Sequence, residues 1–179
     1  SSVGHDIVPR MHRSRLAGFI IDCQTEDLDS AAHFWSAALG LPLAALVRDA
    51  RVTRFAIANP EHAPYGQRAM QALRSQGLEA DVKPKLVLGD NVAQAATFID
   101  SGAAQAGLVA HSLVLSPALA GKGAWTLIPE AWHAPLEQAL VVTRRAAGNP
   151  LAAEFVRHLE STPTRQMLRR HGFAESARQ

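Results

Sequence analysis

The sequence predicts an α/β fold in which a mostly parallel sheet is flanked by helices. Three short apolar runs of strand length, at residues 55–58, 85–88 and 107–110, alternate with segments of helical periodicity. From residue 149 onward the pattern is helical only. Strands that alternate with helices are typical of parallel sheets, whose ligands usually bind beyond the carboxyl ends of the strands.

The segment before residue 54 predicts one strand and one helix. Residues 16–23 form an apolar run short enough for a buried strand, and the acidic residues of TEDLD favour a helix start directly after it. Apolar residues at helical spacing continue this helix to Gly40. Residues 48–54 are polar, so we expect them to be extended.

The middle of the chain predicts three strands, two of which lead directly into helices. Strand 55–58 is followed by NPEHAPYG and an Ala/Met/Leu run of helical type. Strand 85–88 is followed by Asn91, which is a good helix cap, and by a helix over residues 92–99. The strand at residues 107–110 is followed by HSLVL.

The last part of the chain predicts two strands and then two helices. Residues 124–129 and 136–143 have strand character, and we expect the second strand to be nearly continuous and buried. Asn149 caps a helix whose apolar stripe includes Leu151 and Phe155, and the segment TPTRQMLRR forms the final helix. These stripes must cover an apolar partner.

Composition argues against several classes of function. The net charge is only +2 and aromatic residues make up 6% of the chain, so the concentrated basic patch with interleaved aromatics of a nucleic-acid surface is missing. No apolar stretch approaches the ~20 residues that span a bilayer, so we expect no membrane insertion. The opening SSVGHDIVPRM has no apolar signal core, so we expect an irregular leader without a signal peptide.

Three strand ends are candidates for a small-anion site. The turns NPEHAPYG and GDNVAQ each precede a helix N-terminus, whose amide N–H groups and positive dipole end favour an anion. We expect the prolines and Gly66 of the first turn to fix an unusual backbone that aims the amides of Tyr65 and Gly66 in one direction. None of the three turns carries Lys or Arg, so neutral dipoles would hold the anion reversibly. From spacing alone, ordinary capped connections between strand and helix are the commoner explanation of such turns.

The sequence offers no catalytic or metal site. His62, His111 and His133 lie near predicted strand ends, but none has a metal-type partner at i+2 to i+4. Ser112 adjoins His111, yet adjacent residues of a strand face apart, and there is no Gly-x-Ser-x-Gly elbow. We therefore expect no enzyme activity, no catalytic residues and no metal. The single cysteine, Cys23, excludes an internal disulfide.

The pieces FAIANPEHAPYG, KLVLGDNVAQA and NPLAAEFVRHL resemble, in order and spacing, the second half of the periplasmic molybdate-binding proteins of ABC transporters. The resemblance runs from about residue 52 to 173. It implies a type II periplasmic-binding-protein-like lobe that binds molybdate or tungstate, or sulfate, as a ligand and needs no cofactor. It also implies a periplasmic location and an ABC transporter permease as partner.

The resemblance also implies site residues. The family holds its tetrahedral oxyanion without counter-charge, by backbone N–H groups and hydroxyls. Carried over by motif, the donors are the main-chain amides of Tyr65 and Val92. The third position is Ala110, where some members have a ligand-contacting tyrosine whose hydroxyl alanine lacks. Asn91 and Ser112 are secondary candidates for amide or hydroxyl donation.

A second resemblance concerns the start of the chain. The stretch RLAGFIIDCQTEDLDSAAHFWSAALGLPL resembles the first strand and helix of the glyoxalase-like, vicinal-oxygen-chelate family. The two resemblances together imply four segments, a leader (1–14), a glyoxalase-like unit (15–45), an oxyanion-binding α/β lobe (46–148) and C-terminal helices (149–179). The first lobe of the binding protein would then be largely missing or replaced, which would leave oxyanion binding partial.

Two alternatives to oxyanion binding follow from this composite reading. One is a glyoxalase-like metalloenzyme fragment, although Gly18 stands where many members of that family carry a metal-binding His. The other is a chimeric or recombined fold without a ligand function, which could form a homo-oligomer by exchanging its helices.

Overall fold

The computed structural model describes residues 12–21 and 43–174, which fall into two compact units. The larger unit is Arg15–Ala134, and the described residues of the smaller unit are 12–14 and 135–174. In chain order the strands are β1 (His12–Ser14), β2 (Leu16–Ile21), β3 (Phe55–Ala58), β4 (Leu86–Gly89), β5 (Ala106–Ala110), β6 (Gly123–Leu127) and β7 (Leu136–Gln138). The helices are α1 (Leu43–Arg48), α2 (Pro64–Ser75), α3 (Glu79–Val82), α4 (Val92–Asp100), α5 (His111–Val114), α6 (Pro150–Glu160) and α7 (Thr162–Arg170). Short 3₁₀ turns lie at Lys83–Lys85, Glu130–Trp132 and Arg144–Ala146.

The larger unit is built on a five-stranded sheet with the order β4-β3-β5-β2-β6. β3 pairs in parallel with both β4 and β5, whereas β2 pairs antiparallel with β5 and with β6. Four strands therefore run in one direction, and β2 lies reversed between two of them. The predicted α/β fold is confirmed, with the correction that the sheet is mixed. An apolar run marks a buried strand but carries no information about its direction.

The two longest helices of this unit cover opposite faces of the sheet. Successive residues of a strand point to opposite faces. Phe55 and Ile57 of β3 belong to the buried cluster that contains Leu73 of α2. Ala56, between them, belongs to the cluster that contains Ile99 of α4. The apolar core is thus two layers, one under α2 and one under α4.

Helix α1 was not predicted. It includes residue 48, where an extended segment was expected, and it buries Leu43, Leu46 and Val47. Six residues are fewer than two helical turns, so their apolar spacing gives little periodic signal. The helix predicted after residue 23 and the cysteine at that position lie outside the described residues.

The smaller unit contains a two-stranded sheet and two helices. β1 pairs antiparallel with β7, and Arg13 also exchanges two backbone hydrogen bonds of 2.8 Å with Ala174. The prediction of a strand over residues 136–143 is wrong beyond Gln138, and Val141 is 61% exposed. The described residues of β1 pair with Leu136, Glu137 and Gln138.

The two helices of the smaller unit begin as the sequence predicts. The side chain of Asn149 accepts a hydrogen bond from Leu151 N, and Pro150 is the first helical residue. The apolar stripe of α6 is largely uncovered, however, since Leu151 is 67% and Phe155 is 55% exposed. Within this chain these two side chains are uncovered, and cover by another chain stays a prediction. No helix among the described residues combines the length and the apolar character that crossing a membrane requires.

Candidate functional site

The three strand ends singled out in the sequence lie side by side at one edge of the sheet. β3 is the middle strand, with β4 and β5 as its parallel neighbours, and Ala58 is in register with Gly89. Helices α2, α4 and α5 begin after β3, β4 and β5 respectively. The helix N-termini therefore start from the same edge, where the carboxyl ends of the strands meet.

The connections after β3 and β4 diverge to opposite faces of the sheet, because α2 covers one face and α4 the other. Such a divergence between adjacent parallel strands leaves a crevice outside their carboxyl ends, and ligands of open α/β sheets bind there. Tyr65 is the second residue of α2, and Val92 is the first residue of α4. Tyr65 and Val92, the two principal site residues predicted from the sequence, thus lie at the starts of the two helices that leave this edge of the sheet.

The turn after β3 is organised by Asn59. Its side-chain Oδ1 accepts from Glu61 N at 3.0 Å, and its carbonyl oxygen accepts from Ala63 N at 2.9 Å. An asparagine that bonds the backbone two residues ahead is a common way to close a tight turn. Asn59 was not singled out in the sequence, although an Asn-Pro pair after a strand is the signal that could have identified it.

Gly66 has a different role from the one expected. Its backbone is helical, and the glycines with positive φ are Gly77, Gly102, Gly121 and Gly172. A Cβ at Gly66 would lie 2.1 Å from the carbonyl oxygen of Ala58. The glycine therefore allows the first turn of α2 to lie directly against the end of β3, which brings the helix N-terminus to the sheet edge.

The turn after β4 is a capped helix start. The Oδ1 atom of Asn91 accepts from Ala93 N and from Gln94 N, both at 3.0 Å, as the sequence predicts. Because Oδ1 serves as the cap, the Nδ2 group is the part of the Asn91 side chain that remains to make another hydrogen bond, as a donor. No hydrogen-bond acceptor for Val92 N lies within residues 12–21 and 43–174. A Cβ at Gly89 would lie 2.7 Å from Ala95 N, so this helix also packs closely on its strand.

Two hydrogen bonds join the turn after β3 to the turn after β4. Asn59 N donates to Gly89 O at 2.7 Å and extends the β3–β4 pairing by one bond. Further along the turns, His62 Nε2 lies 3.0 Å from Asp90 O. His62 is exposed and was considered in the sequence only as a metal ligand, so this contact was not predicted.

The third strand end offers fewer donors. Ala110 is buried as the last residue of β5, in register with Leu16 of β2, and its methyl group supplies no polar contact. His111 N donates to Arg15 O at 2.9 Å, which commits that amide to the fold. Ser112 is half-buried in the four-residue helix α5. The Ser112 hydroxyl is the side-chain donor that the sequence analysis predicts at this strand end.

His111 is a buried residue beside this strand end. Its ring lies against the ring of Trp125 of β6, with centroids 4.7 Å apart and planes inclined by 52°. The buried imidazole thus packs against an aromatic ring of the sheet. Among the described residues, no group of three or more His, Cys, Asp or Glu side chains is placed to hold a metal ion.

The charges on the two turns are few and negative. Glu61 and Asp90 are exposed carboxylates, and neither turn carries a Lys or Arg. The donors available to a ligand are therefore backbone and amide N–H groups. An arrangement of neutral donors at two helix N-termini can bind an anion reversibly.

Comparison with protein families and curated proteins gives a consistent result. The family described as bacterial extracellular solute-binding protein matches residues 37–174. The molybdate-binding protein ModA of Azotobacter vinelandii is 33% identical over 142 residues, which are 78% of this chain and 56% of the relative. ModA of Rhodobacter capsulatus is 30% identical over 118 residues, which are 66% of this chain and 46% of the relative. The chain spans about half the length of the curated relatives it matches.

Solved structures show the same fold. The periplasmic molybdate-binding protein of Azotobacter vinelandii superposes with a TM-score of 0.72 at 21% identity and covers 95% of this chain and 70% of its own. The predicted type II periplasmic-binding-protein-like fold is confirmed by this likeness. The comparisons do not support the glyoxalase-like resemblance of residues 15–45, and β2 from that segment is an interior strand of the same sheet.

Proposed function

Because the chain belongs to the bacterial extracellular solute-binding protein family, we propose that it binds a tetrahedral oxyanion, molybdate or tungstate, for an ABC transporter. The ligand lies in the crevice between the carboxyl ends of β3 and β4. It accepts hydrogen bonds from the main-chain amides of Tyr65 and Val92. Asn91 Nδ2 and the Ser112 hydroxyl are secondary donors. Ala110 lies at the third strand end but has no side-chain donor.

One observation carries this proposal. Two helices, α2 and α4, start from adjacent parallel strands and diverge to opposite faces, so that both N-termini border one crevice. Each N-terminus is equivalent to roughly half a positive charge, so two of them together offset about one charge of a divalent anion. Both helices are long enough, at 12 and 9 residues, to develop this dipole.

The chemistry of the donors fits a fully deprotonated oxyanion. Molybdate and tungstate at neutral pH offer only acceptor oxygens, and the amides of Tyr65 and Val92 only donate. A protonated oxyanion such as hydrogen phosphate brings its own O–H donor, which needs an acceptor, and neither of the two proposed amide donors can accept a hydrogen bond. We therefore expect the site to prefer molybdate and tungstate over phosphate.

The cellular role follows from the family. We propose that the protein acts in the periplasm and delivers its ligand to the permease of an ABC transporter. The support is the name of the relative whose fold it shares, a periplasmic molybdate-binding protein. Solute-binding proteins bind and release their ligand unchanged, so we propose no catalytic step.

Calorimetric titration with a series of anions tests the proposal. Molybdate and tungstate should each give a saturable binding heat with one site per chain. Phosphate at the same ionic strength should bind with an affinity at least tenfold lower. Sulfate, which has the same charge and shape but a smaller radius, reports how closely the crevice fits its ligand. The absence of any saturable heat at millimolar molybdate would contradict the proposal.

A further inference from the structure

The two turns that border the crevice are 28 residues apart at His62 and Asp90, yet a side-chain contact joins them. The bond from Asn59 N to Gly89 O fixes the turns where they leave the sheet. The bond between His62 Nε2 and Asp90 O lies further out, next to the starts of α2 and α4. This bond links the two turns through a side chain.

The chemistry of this contact fixes the state of the imidazole. A carbonyl oxygen only accepts, so His62 Nε2 must carry the hydrogen and donate it to Asp90 O. Nδ1 is then the nitrogen without the hydrogen in the neutral ring. In the imidazolium form both nitrogens donate, so the contact persists in both protonation states. The charged groups beside it are the exposed carboxylates of Glu61, on the same turn, and Asp90, on the facing turn.

Resting on the proposed oxyanion function, we propose that His62 is a positioning residue of that site. It ties the turn that leads to Tyr65 to the turn that leads to Val92. The amides of two separate helices can then donate hydrogen bonds to the same ion. Without the tie, the outer parts of the two turns would be less well held than the Asn59–Gly89 end at the sheet edge, and the anion would have to order them on binding. That ordering cost would appear as lost affinity.

The experiment compares His62→Ala, which removes the tie, with His62→Gln, whose side-chain amide N–H can reach a similar position. His158→Ala, at an exposed histidine of α6, is the matched control. Molybdate affinity is measured by calorimetry for the wild type and the three variants. In parallel, two-bond ¹⁵N–¹H correlation spectra of the anion-free wild type report the tautomer of His62.

We expect His62→Ala to lower molybdate affinity about tenfold, in the range of one hydrogen bond, with an unchanged melting temperature. His62→Gln should retain affinity to within about threefold, and His158→Ala should equal the wild type. The anion-free spectrum should show the Nε2–H tautomer. Equal or tighter binding by His62→Ala, an equal loss in His62→Gln, or an Nδ1–H tautomer would overturn the inference. If the wild type itself gives no heat with molybdate, the proposed function fails, whereas the tautomer still decides whether the tie exists.

Discussion

The Nε2 atom of His62 lies 3.0 Å from the carbonyl oxygen of Asp90, and this contact joins two turns that precede different helices. The helices cover opposite faces of one sheet, so their N-termini meet only at the edge where β3 and β4 end. The contact matters because two helix N-termini can serve one anion only while their relative position is maintained. The following predictions test the parts of this arrangement separately.

Val92→Pro should weaken molybdate binding by tenfold or more without unfolding the helix. Val92 is the first residue of α4, a position that tolerates proline because its N–H has no intrahelical partner. Asn91 before it is extended, with φ −147° and ψ 174°, as a residue preceding proline should be. Val92→Ala, which keeps the N–H and trims the side chain, is the matched control. Equal affinities of the two variants in calorimetry would show that this amide is not a ligand donor.

Asn91→Asp should leave stability nearly unchanged but weaken oxyanion binding. Aspartate caps a helix as well as asparagine does, so Ala93 N and Gln94 N keep their acceptor. Its negative charge, however, would lie beside the divalent ligand. Asn91→Ala should instead cost about 1 kcal/mol of unfolding free energy. Denaturant titration and calorimetry measure the two effects, and full molybdate affinity in Asn91→Asp would argue against a ligand beside this cap.

Gly66→Ala should destabilise the protein by about 1–3 kcal/mol or more. The added Cβ would lie 2.1 Å from the carbonyl oxygen of Ala58. The atoms it would meet belong to the backbone of Ala58 and Asn59, which leaves little room for adjustment. Gly148→Ala is the control, since a Cβ there has nothing within 4 Å and Gly148 is not among the glycines with positive φ. Urea unfolding of both variants checks the prediction. Similar midpoints for the two would mean that α2 does not lie closely against β3.

The stability of the fold should depend on pH through Asp49. The side chain and the backbone N–H of Arg51 donate to its carboxylate and lower the pKa of Asp49 from 3.8 to about 2. Because the folded-state pKa is the lower one, this contribution is complete above pH 3.8 and is lost as the pH falls through about 2. The difference in unfolding free energy between the wild type and Asp49→Asn should therefore shrink between pH 5 and 2. A constant difference over that interval would contradict the assignment.

The sequence was sufficient for the strands and helices that border the crevice. The apolar run at Phe55–Ala58 and the cap at Asn91 are local signals, and the structure places both where the sequence predicts them. The resemblance to molybdate-binding proteins identified the fold. Local patterns are reliable here because each element is short and bounded by turn residues.

Features that depend on partners distant in sequence could not be predicted. The reversed direction of β2 follows from its pairing with β5 and β6. His62 and Gly66 act through atoms of other segments, Asp90 O and Ala58 O, and no periodicity reports such contacts. The glyoxalase-like interpretation of residues 15–45 rested on a short local pattern, and the comparisons do not support it.

The most direct test of the oxyanion site is a crystal structure of the protein with molybdate, with diffraction data collected at the molybdenum absorption edge. We expect one anomalous peak in the crevice between the ends of β3 and β4. The molybdate oxygens should lie about 2.7–3.2 Å from the amide nitrogens of Val92 and Tyr65. Molybdate ordered elsewhere on the protein, with this crevice empty, would contradict it.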